Sequence, residues 1–283
     1  MPEGLGPILA ATVTVADLEY ASAAYCALLG YEYLAEDLNA GIPWRVLGPA
    51  GARWGMLRLE EVPDAVRVET FRTLGWSAIE VLVADVDVAL SRCLEVAGFE
   101  VIQPPVSVGG GSSLRALQMS GPGGEGIYLT QVDSPPELFT LPSLDSGEHH
   151  VFVVVVGTHD LPATRGFFER GFGTPAITDH PLPVKVLNRA YSLPSDSLHR
   201  ISTMQLALGT LIEVDEYPPA ATVRPPRSTG ISSVTFAGTN PKVGSPRQMP
   251  PQPDAPYWGM AVWECNGPFG LRIEIVDREV RSI

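Results

Sequence analysis

Residues 8–34 read ILAATVTVADLEYASAAYCALLGYEYL. The alternating opening is typical of a β-strand, and Asp17 stands where the N-cap of a helix is expected. Apolar residues then recur at helical spacing as far as Gly30, a residue type that suits the turn ending many helices. Because further strand-like segments follow, this stretch predicts one strand, one helix and then more strands.

The same plan recurs three more times along the chain. Residues 77–102 read SAIEVLVADVDVALSRCLEVAGFEVI, and residues 149–173 read HHVFVVVVGTHDLPATRGFFERGFG. A fourth copy, ISSVTFAGTNPKVG, starts at Ile231, and its helical part is short and interrupted by proline. Four units of about 71 residues account for the 283-residue chain, since 283 divided by four is about 71. The positions taken as equivalent on the four first strands are Ala10, Ala78, His150 and Ser233.

A strand–helix–strand–strand–strand unit has an open sheet edge, which a second unit can cover. The predicted fold is therefore α+β, with four βαβββ units forming two cup-shaped modules of antiparallel-rich mixed sheet and helices outside. Residues 1–135 are expected to form an N-terminal module, and residues 149–283 a C-terminal one. The Pro/Ser-rich residues 136–148 are expected to link them.

Composition excludes several classes of function. Acidic residues outnumber basic ones by 32 to 19, giving a formal charge of −13, so we expect no nucleic-acid partner. The chain contains no apolar run near the ~20 residues of a membrane span and no signal-peptide pattern at its start. Three widely spaced cysteines form no disulfide framework, and a cytoplasmic location is expected.

The four units resemble the vicinal oxygen chelate superfamily. That group includes glyoxalase I, extradiol ring-cleaving dioxygenases, methylmalonyl-CoA epimerase and the bleomycin-resistance binding proteins. The resemblance rests on the segments quoted above and on the ending GPFGLRIEIVD, residues 267–277, and it covers nearly the whole chain. It is more specific for the fold than for the reaction, since many chemistries share this scaffold.

In that superfamily the metal ligands come from the first and last strands of paired units. Carried over by position, the resemblance implies a metal-free N-terminal module, whose corresponding residues are Ala10, Leu57 or Arg58, Ala78 and Tyr128.

In the C-terminal module the resemblance implies a divalent metal held by His150, Glu213 and Glu274, with Ser233 at the fourth position. One imidazole and two carboxylates suit iron, manganese, nickel, cobalt or zinc.

Simpler interpretations stand beside this trio. His150 opens an apolar strand, where a histidine is more often structural, and alternation alone would turn either glutamate toward solvent. Two inward carboxylates can also hold a cationic ligand, or raise each other's pKa and act as acid and base. Arg272 shares a strand face with Glu274, so it either pairs with a glutamate or binds a substrate carboxylate.

The resemblance implies a small-molecule enzyme whose metal assists proton transfer, as in a lyase or isomerase. Glu213 or Glu274 would move the proton, while Ser233, Arg272 and Phe152 would contact the substrate. A ring-cleaving dioxygenase is the second interpretation, because Ser233 stands where those enzymes often have a histidine. The rival class is a metal-free, antibiotic-like binding protein. A homodimer is a further alternative, because two chains can also form the cups by exchanging units.

Overall fold

The computed structural model describes residues 4–108, 113–134, 136–239, 241, 243 and 245–277, and they form the four units. The first unit contains β1 (Ile8–Val15), α1 (Leu18–Leu29), β2 (Glu32–Asp37), β3 (Trp44–Gly48) and β4 (Met56–Glu61). The second contains β5 (Thr73–Leu82), α2 (Val86–Glu95), β6 (Glu100–Ser107), β7 (Leu114–Ser120) and β8 (Gly126–Val132).

A short helix, α3 (Leu144–Gly147), precedes the third unit. That unit contains β9 (Val151–Thr158), α4 (Leu161–Phe172), β10 (Ala176–Pro183), α5 (Lys185–Ala190), β11 (Leu198–Gln205) and β12 (Leu211–Glu216). The fourth follows the two-residue β13 (Thr222–Val223) and contains β14 (Gly230–Gly238), β15 (Arg247–Met249), β16 (Val262–Asn266) and β17 (Arg272–Asp277). Among the described residues between β14 and β15, none is helical.

The helix boundaries follow the capping residues. Asp17 accepts a hydrogen bond from the Tyr20 amide at 2.8 Å, and Asp160 accepts one from the Ala163 amide at 2.9 Å. Asp85 caps α2 in the same way. Gly30 ends α1 with a φ of 68°, a left-handed conformation that costs glycine little. The predicted helices of the first three units and their N-caps are confirmed. The helical part expected in the fourth unit falls partly outside the described residues, and none of those described there is helical.

Two curved sheets hold the strands. The first cup joins units 1 and 4 in the strand order β15-β16-β17-β14-β1-β4-β3-β2. The second cup joins units 2 and 3 in the order β10-β11-β12-β9-β5-β8-β7-β6. Each cup has an antiparallel pair at its centre, β1 with β14 and β5 with β9, flanked by parallel pairs. The predicted α+β class and its four units forming two cups are confirmed.

The pairing of units corrects the predicted module boundaries. Residues 1–135 and 149–283 do not form one cup each, because every cup takes one unit from either side of residues 136–148. Pairing unit 1 with unit 2 would bury the same kind of sheet edge as pairing unit 1 with unit 4, so strand patterns alone do not distinguish the two arrangements. The predicted linker also carries α3, and its neighbours Phe139 and Leu141 pack against the apolar core.

Alternation along the strands separates the core from the cup interiors. Ala11, Val13, Ile79, Val81 and Val154 join the apolar core that includes residues of α1, α2 and α4. Their neighbours in sequence face the opposite way, into the cups. None of the helices in the described ranges is long and apolar enough to cross a membrane.

Candidate functional site

Strand register identifies which residues of the four units correspond. Glu274 lies beside Thr235, and Glu213 lies beside Val155. In the other two units Arg58 lies beside Thr12, and Tyr128 lies beside Glu80. The last strands therefore present four matching positions, occupied by Arg58, Tyr128, Glu213 and Glu274, and the register selects Arg58 over Leu57.

His150 is not at the matching first-strand position. Ala10 and Ala78 each lie seven residues before their capping aspartates, Asp17 and Asp85, whereas His150 lies ten residues before Asp160. Counting seven residues back from Asp160 gives Val153. The alignment that placed His150 among the ligand positions was wrong by three residues.

The structure places His150 just before β9, outside the strands of both sheets. Its ring stacks on Trp54 with a centroid distance of 4.4 Å, and its Nδ1 contacts the Glu148 carbonyl oxygen at 3.1 Å. Burial lowers the pKa of His150 below its usual value. These contacts explain His150 as a packing residue.

The predicted site residues are divided between the cups. Ser233, Arg272 and Glu274 belong to the first cup. Glu213 belongs to the second cup, and Phe152 is buried in the apolar cluster that contains Val153 and Val155. The expectation that His150, Glu213 and Glu274 meet is therefore wrong, because the two glutamates lie on different sheets.

The residues at the ligand positions do not fit a divalent metal. Each cup offers one carboxylate and no histidine there: Ala10, Arg58, Ser233 and Glu274 in the first cup, and Ala78, Tyr128, Val153 and Glu213 in the second. Within the described ranges, no group of three histidine, cysteine, aspartate or glutamate side chains is arranged to hold a metal. The metal implied by the resemblance has no matching donor set in either cup.

The second cup instead gathers acidic side chains. Glu80 accepts a hydrogen bond from the Thr130 hydroxyl, and the carboxyl groups of Glu213 and Asp215 interact electrostatically. Asp215 is 2% exposed, and its Oδ1 has no hydrogen-bond partner among the described residues. Glu80 and Glu213 also interact electrostatically. Three acids thus form one cluster, which we call the acid cluster.

Burial dominates the electrostatics of the acid cluster. It raises the pKa of Glu80 to about 8, against a lowering contribution from the Thr130 hydrogen bond. Burial also raises the pKa of Glu213 to about 7 and that of Asp215 well above its usual range. The charge of Glu213 raises the pKa of Asp215 further. Desolvation disfavours each charged form, so protons are retained near neutral pH.

Apolar and aromatic groups surround the acid cluster. Burial raises the pKa of Tyr128, and the charges of all three acids raise it further. Its ring contacts the Phe71 ring edge to face, with 6.0 Å between the ring centroids. Val153 and Val155 are buried on the central strand. Glu80, Tyr128 and Glu213 are only half-buried although their sequence neighbours on the strands are fully buried or nearly so. The half-buried groups therefore border an accessible space inside the cup.

Helix α5 covers part of the second cup. Val186 and Leu187 are buried in its apolar cluster, and Arg189 donates to the Ile102 carbonyl oxygen of the neighbouring unit. Arg72 of the second unit donates in turn to the Ala190 carbonyl oxygen. These hydrogen bonds hold helix α5 of the third unit against the second unit.

The first cup is built around an arginine. Arg58 lies over the rings of Trp44 and Tyr257, 4.4 and 5.5 Å from their centroids, and its Nε donates to Glu60 at 3.1 Å. Glu274 accepts hydrogen bonds from Thr235 and Tyr257 at 2.8 Å each and from Arg272 at 3.1 Å. Its carboxylate is fully provided with donors.

Sequence reasoning overlooked Glu80 and Asp215. The signal was available, because Glu80 lies two residues after Ala78 and Asp215 two residues after Glu213. Strand alternation places each pair on one face. Treating one position per strand as the candidate concealed the second acid beside it.

No protein-family model and no curated protein sequence matches the chain. Solved structures do match over nearly its full length. Glyoxalase I from Zea mays is 16% identical, with a TM-score of 0.66 over 96% of this chain and 92% of that one. A Bacillus subtilis protein provisionally named a dioxygenase is 11% identical, with a TM-score of 0.63 over 98% and 86%. The chain therefore has the four-unit fold of these structures, as the resemblance of its sequence to the vicinal oxygen chelate superfamily implied.

Proposed function

We propose that the second cup binds a small molecule with an apolar body and a single protonated amine. The observation that supports this most is the acid cluster, in which Glu80, Glu213 and Asp215 converge without a positive partner. Among the described residues, no arginine, lysine or histidine forms an ion pair with any of the three carboxyl groups.

A buried acid cluster of this kind is costly without a ligand. Removing a carboxylate from water is unfavourable unless a cation or several donors replace the lost solvation. The raised pKa values of Glu80 and Glu213 express this cost in the free protein. An ammonium group supplies the missing charge and up to three N–H donors, one for each acid.

The surroundings of the acid cluster fit an apolar molecule attached to that amine. Val153 and Val155 line the central strand, and the partly accessible ring of Tyr128 can face a cation. Such a site agrees with the alternative of a metal-free binding protein. Glu213 would contact the cation, as in that alternative. Glu80 and Asp215, rather than Glu274, would be the other acids that contact it.

Metal-independent proton transfer is a second candidate function for the same site. Glu80 and Glu213, with pKa values of about 8 and about 7, sit near the pH where an acid and a base work best together. In an isomerase or lyase, an ionised carboxylate would take a proton from carbon while a protonated neighbour returned one. This keeps the reaction class implied by the resemblance, without the metal.

Calorimetric titration with benzylamine tests the proposal, with benzyl alcohol as its uncharged match. At pH 8 we expect benzylamine to bind at least about tenfold more tightly, because a charge-assisted hydrogen bond contributes about 1.5 to 3 kcal/mol. Glu213→Gln should weaken benzylamine binding by about tenfold. Glu274→Gln, at the matching position of the first cup, should leave it within about twofold.

Three results would overturn the binding proposal. One is equal affinity for benzylamine and benzyl alcohol, and another is unchanged benzylamine affinity in Glu213→Gln. The third is near-stoichiometric uptake of manganese or zinc that Glu213→Gln abolishes, since the acids would then serve a metal. Exchange of ligand C–H protons for deuterium in D2O, lost in Glu80→Gln, would favour proton transfer over binding alone.

A further inference from the structure

A long loop of the fourth unit connects the last two strands at one edge of the first cup. Residues 250–261, PPQPDAPYWGMA, join β15 to β16, and we call this segment the strap. Its two ends are close together, because Met249 and Val262 are partners in the antiparallel β15–β16 register. Hairpin connections usually contain about two to five residues, and longer loops with neighbouring ends often carry function. The strap is therefore more than a turn between two strands.

Side chains of the strap lie against the ligand positions of the first cup. Tyr257 is 3% exposed, and its hydroxyl donates to the Glu274 carboxylate at 2.8 Å. The Arg58 guanidinium lies over the Tyr257 ring, 5.5 Å from its centroid. Ala255 is buried in the apolar cluster that contains Ala10. Ala10, Arg58 and Glu274 are three of the four ligand positions, so the strap fills the place where a ligand of this cup would lie.

The contacts of Tyr257 are those of a small neutral phenol. Burial raises the pKa of Tyr257 well above its usual value, and the charge of Glu274 raises it further, so the hydroxyl keeps its proton and donates. Thr235 and Arg272 hold the accepting carboxylate in place, at 2.8 and 3.1 Å. The Arg58 guanidinium lies on the ring face, where a cation is attracted. A free phenol of the same size would meet the same acceptor and the same cation.

The strap can move without breaking the sheet. Each backbone hydrogen bond that the structure describes for residues 250–260 joins two residues of the strap, such as the Gly259 amide and the Gln252 carbonyl oxygen at 2.6 Å. Four prolines lie within residues 250–256, and a proline has no amide to donate and restricts the backbone. Segments held by local hydrogen bonds open at a lower free energy than the strands of a core. We therefore expect the strap to swing about its two neighbouring ends as one piece.

We propose that the strap is an internal ligand of the first cup, and that a small neutral phenol takes the place of Tyr257 when the strap opens. The hydroxyl of that phenol donates to Glu274, and its ring lies against the Arg58 guanidinium. The closed strap fills the site, and the open strap admits the ligand. The proposal concerns the first cup alone, so it is independent of the acid cluster in the second.

Amide hydrogen exchange in the wild-type protein measures the opening of the strap. After correction for intrinsic rates, the amides of residues 257–260 should exchange at least about a hundredfold faster than those of β14 and β17. Tyr257→Phe removes the hydrogen bond to Glu274 and should speed exchange in the strap by at least about tenfold. Tyr217→Phe, its match in the second cup, removes a hydrogen bond that strap opening does not break, so it should leave strap exchange unchanged.

Adding p-cresol to the wild-type protein tests the class of ligand. This molecule is the tyrosine side chain from Cβ outward, and p-methylanisole is its match with the hydroxyl methylated. A ligand that binds only the open form raises the open population by the factor 1 + [L]/Kd. Strap exchange should therefore quicken in proportion to the p-cresol concentration, while exchange in β14 and β17 does not. We expect p-methylanisole to change neither.

Tyr257→Gly vacates the position that the phenol ring would occupy. Its melting temperature should rise with p-cresol and stay unchanged with p-methylanisole. The proposal fails if the strap amides exchange as slowly as those of β14 and β17, or if p-cresol leaves wild-type strap exchange unchanged. Equal effects of p-cresol and p-methylanisole on either protein would also refute it. The wild-type measurements decide the matter even if Tyr257→Gly does not fold.

Discussion

The two cups place different chemistry at matching positions. The first cup carries Arg58 and Glu274 on its two last strands, and the second carries Tyr128 and Glu213. Glu274 accepts hydrogen bonds from three side chains of its own cup, whereas the described neighbours of Glu213 supply a second acid, Asp215. Donors of the first cup thus satisfy Glu274, whereas Glu213 is the carboxylate that we propose engages a ligand.

This difference shows that position in a repeat does not determine a residue's role. Glu213 and Glu274 have the same register and similar sequence surroundings. Their roles separate through residues on adjacent strands and loops, above all Tyr257, which reaches Glu274 at 2.8 Å. A glutamate at a ligand position therefore indicates a functional group only when its donors are known.

The largest expected difference between the cups is in the pH dependence of stability. The pKa of Glu80 rises from 4.5 to about 8 on folding, and that of Glu213 rises to about 7. The folded state therefore binds protons more tightly, so this contribution to stability is complete below about pH 4.5 and lost as the pH rises to about 8. Denaturant unfolding should show the free energy of unfolding falling by on the order of 3 kcal/mol between pH 5 and pH 8.

Glu80→Gln should reduce the slope of that pH profile, because glutamine can still accept the hydrogen bond from Thr130 but carries no titrating group, whereas Glu213 still titrates. Glu274→Gln, at the matching position of the first cup, is the control. A stability that rises between pH 5 and pH 8 in the wild-type protein would contradict the protonation of the acid cluster.

A smaller difference is expected between two buried tyrosines. The Tyr257 hydroxyl donates to the Glu274 carboxylate at 2.8 Å, and the Tyr217 hydroxyl donates to Ser77 Oγ at 2.9 Å. Tyr257→Phe should lower the free energy of unfolding by about 2 kcal/mol, and Tyr217→Phe by about 1 kcal/mol, since bonds to charged groups are stronger. Equal losses in urea unfolding at pH 7 would argue against the distinction between the two cups.

The smallest expected effect concerns His150, which lies just before β9 and not at a ligand position. His150→Ala removes the ring stacked on Trp54, and we expect a loss of about 1 kcal/mol in the free energy of unfolding. The affinity for benzylamine should stay within about twofold. A larger loss of that affinity would return His150 to the list of site residues.

Local signals predicted the units well, because caps and alternation act over short distances. Asp17, Asp85 and Asp160 begin their helices as expected, and the last-strand glutamates have matching registers. The failures have different causes. The pairing of units is a long-range choice between equivalent edges, and the strand pattern placed His150 at a ligand position although its spacing from Asp160 differs from the other units.

The crossed pairing of units also sets an order of events during synthesis. Ser77 and Val155, at the centre of the second cup, are 78 residues apart, whereas Thr12 and Ser232, at the centre of the first, are 220 apart. As the chain leaves the ribosome, the second cup can close while β14 has not yet been made. Throughout that interval β1 has an open, apolar edge, the kind of surface that pairs with other chains. We therefore expect the nascent chain to be most exposed to aggregation between completion of the third unit and synthesis of β14.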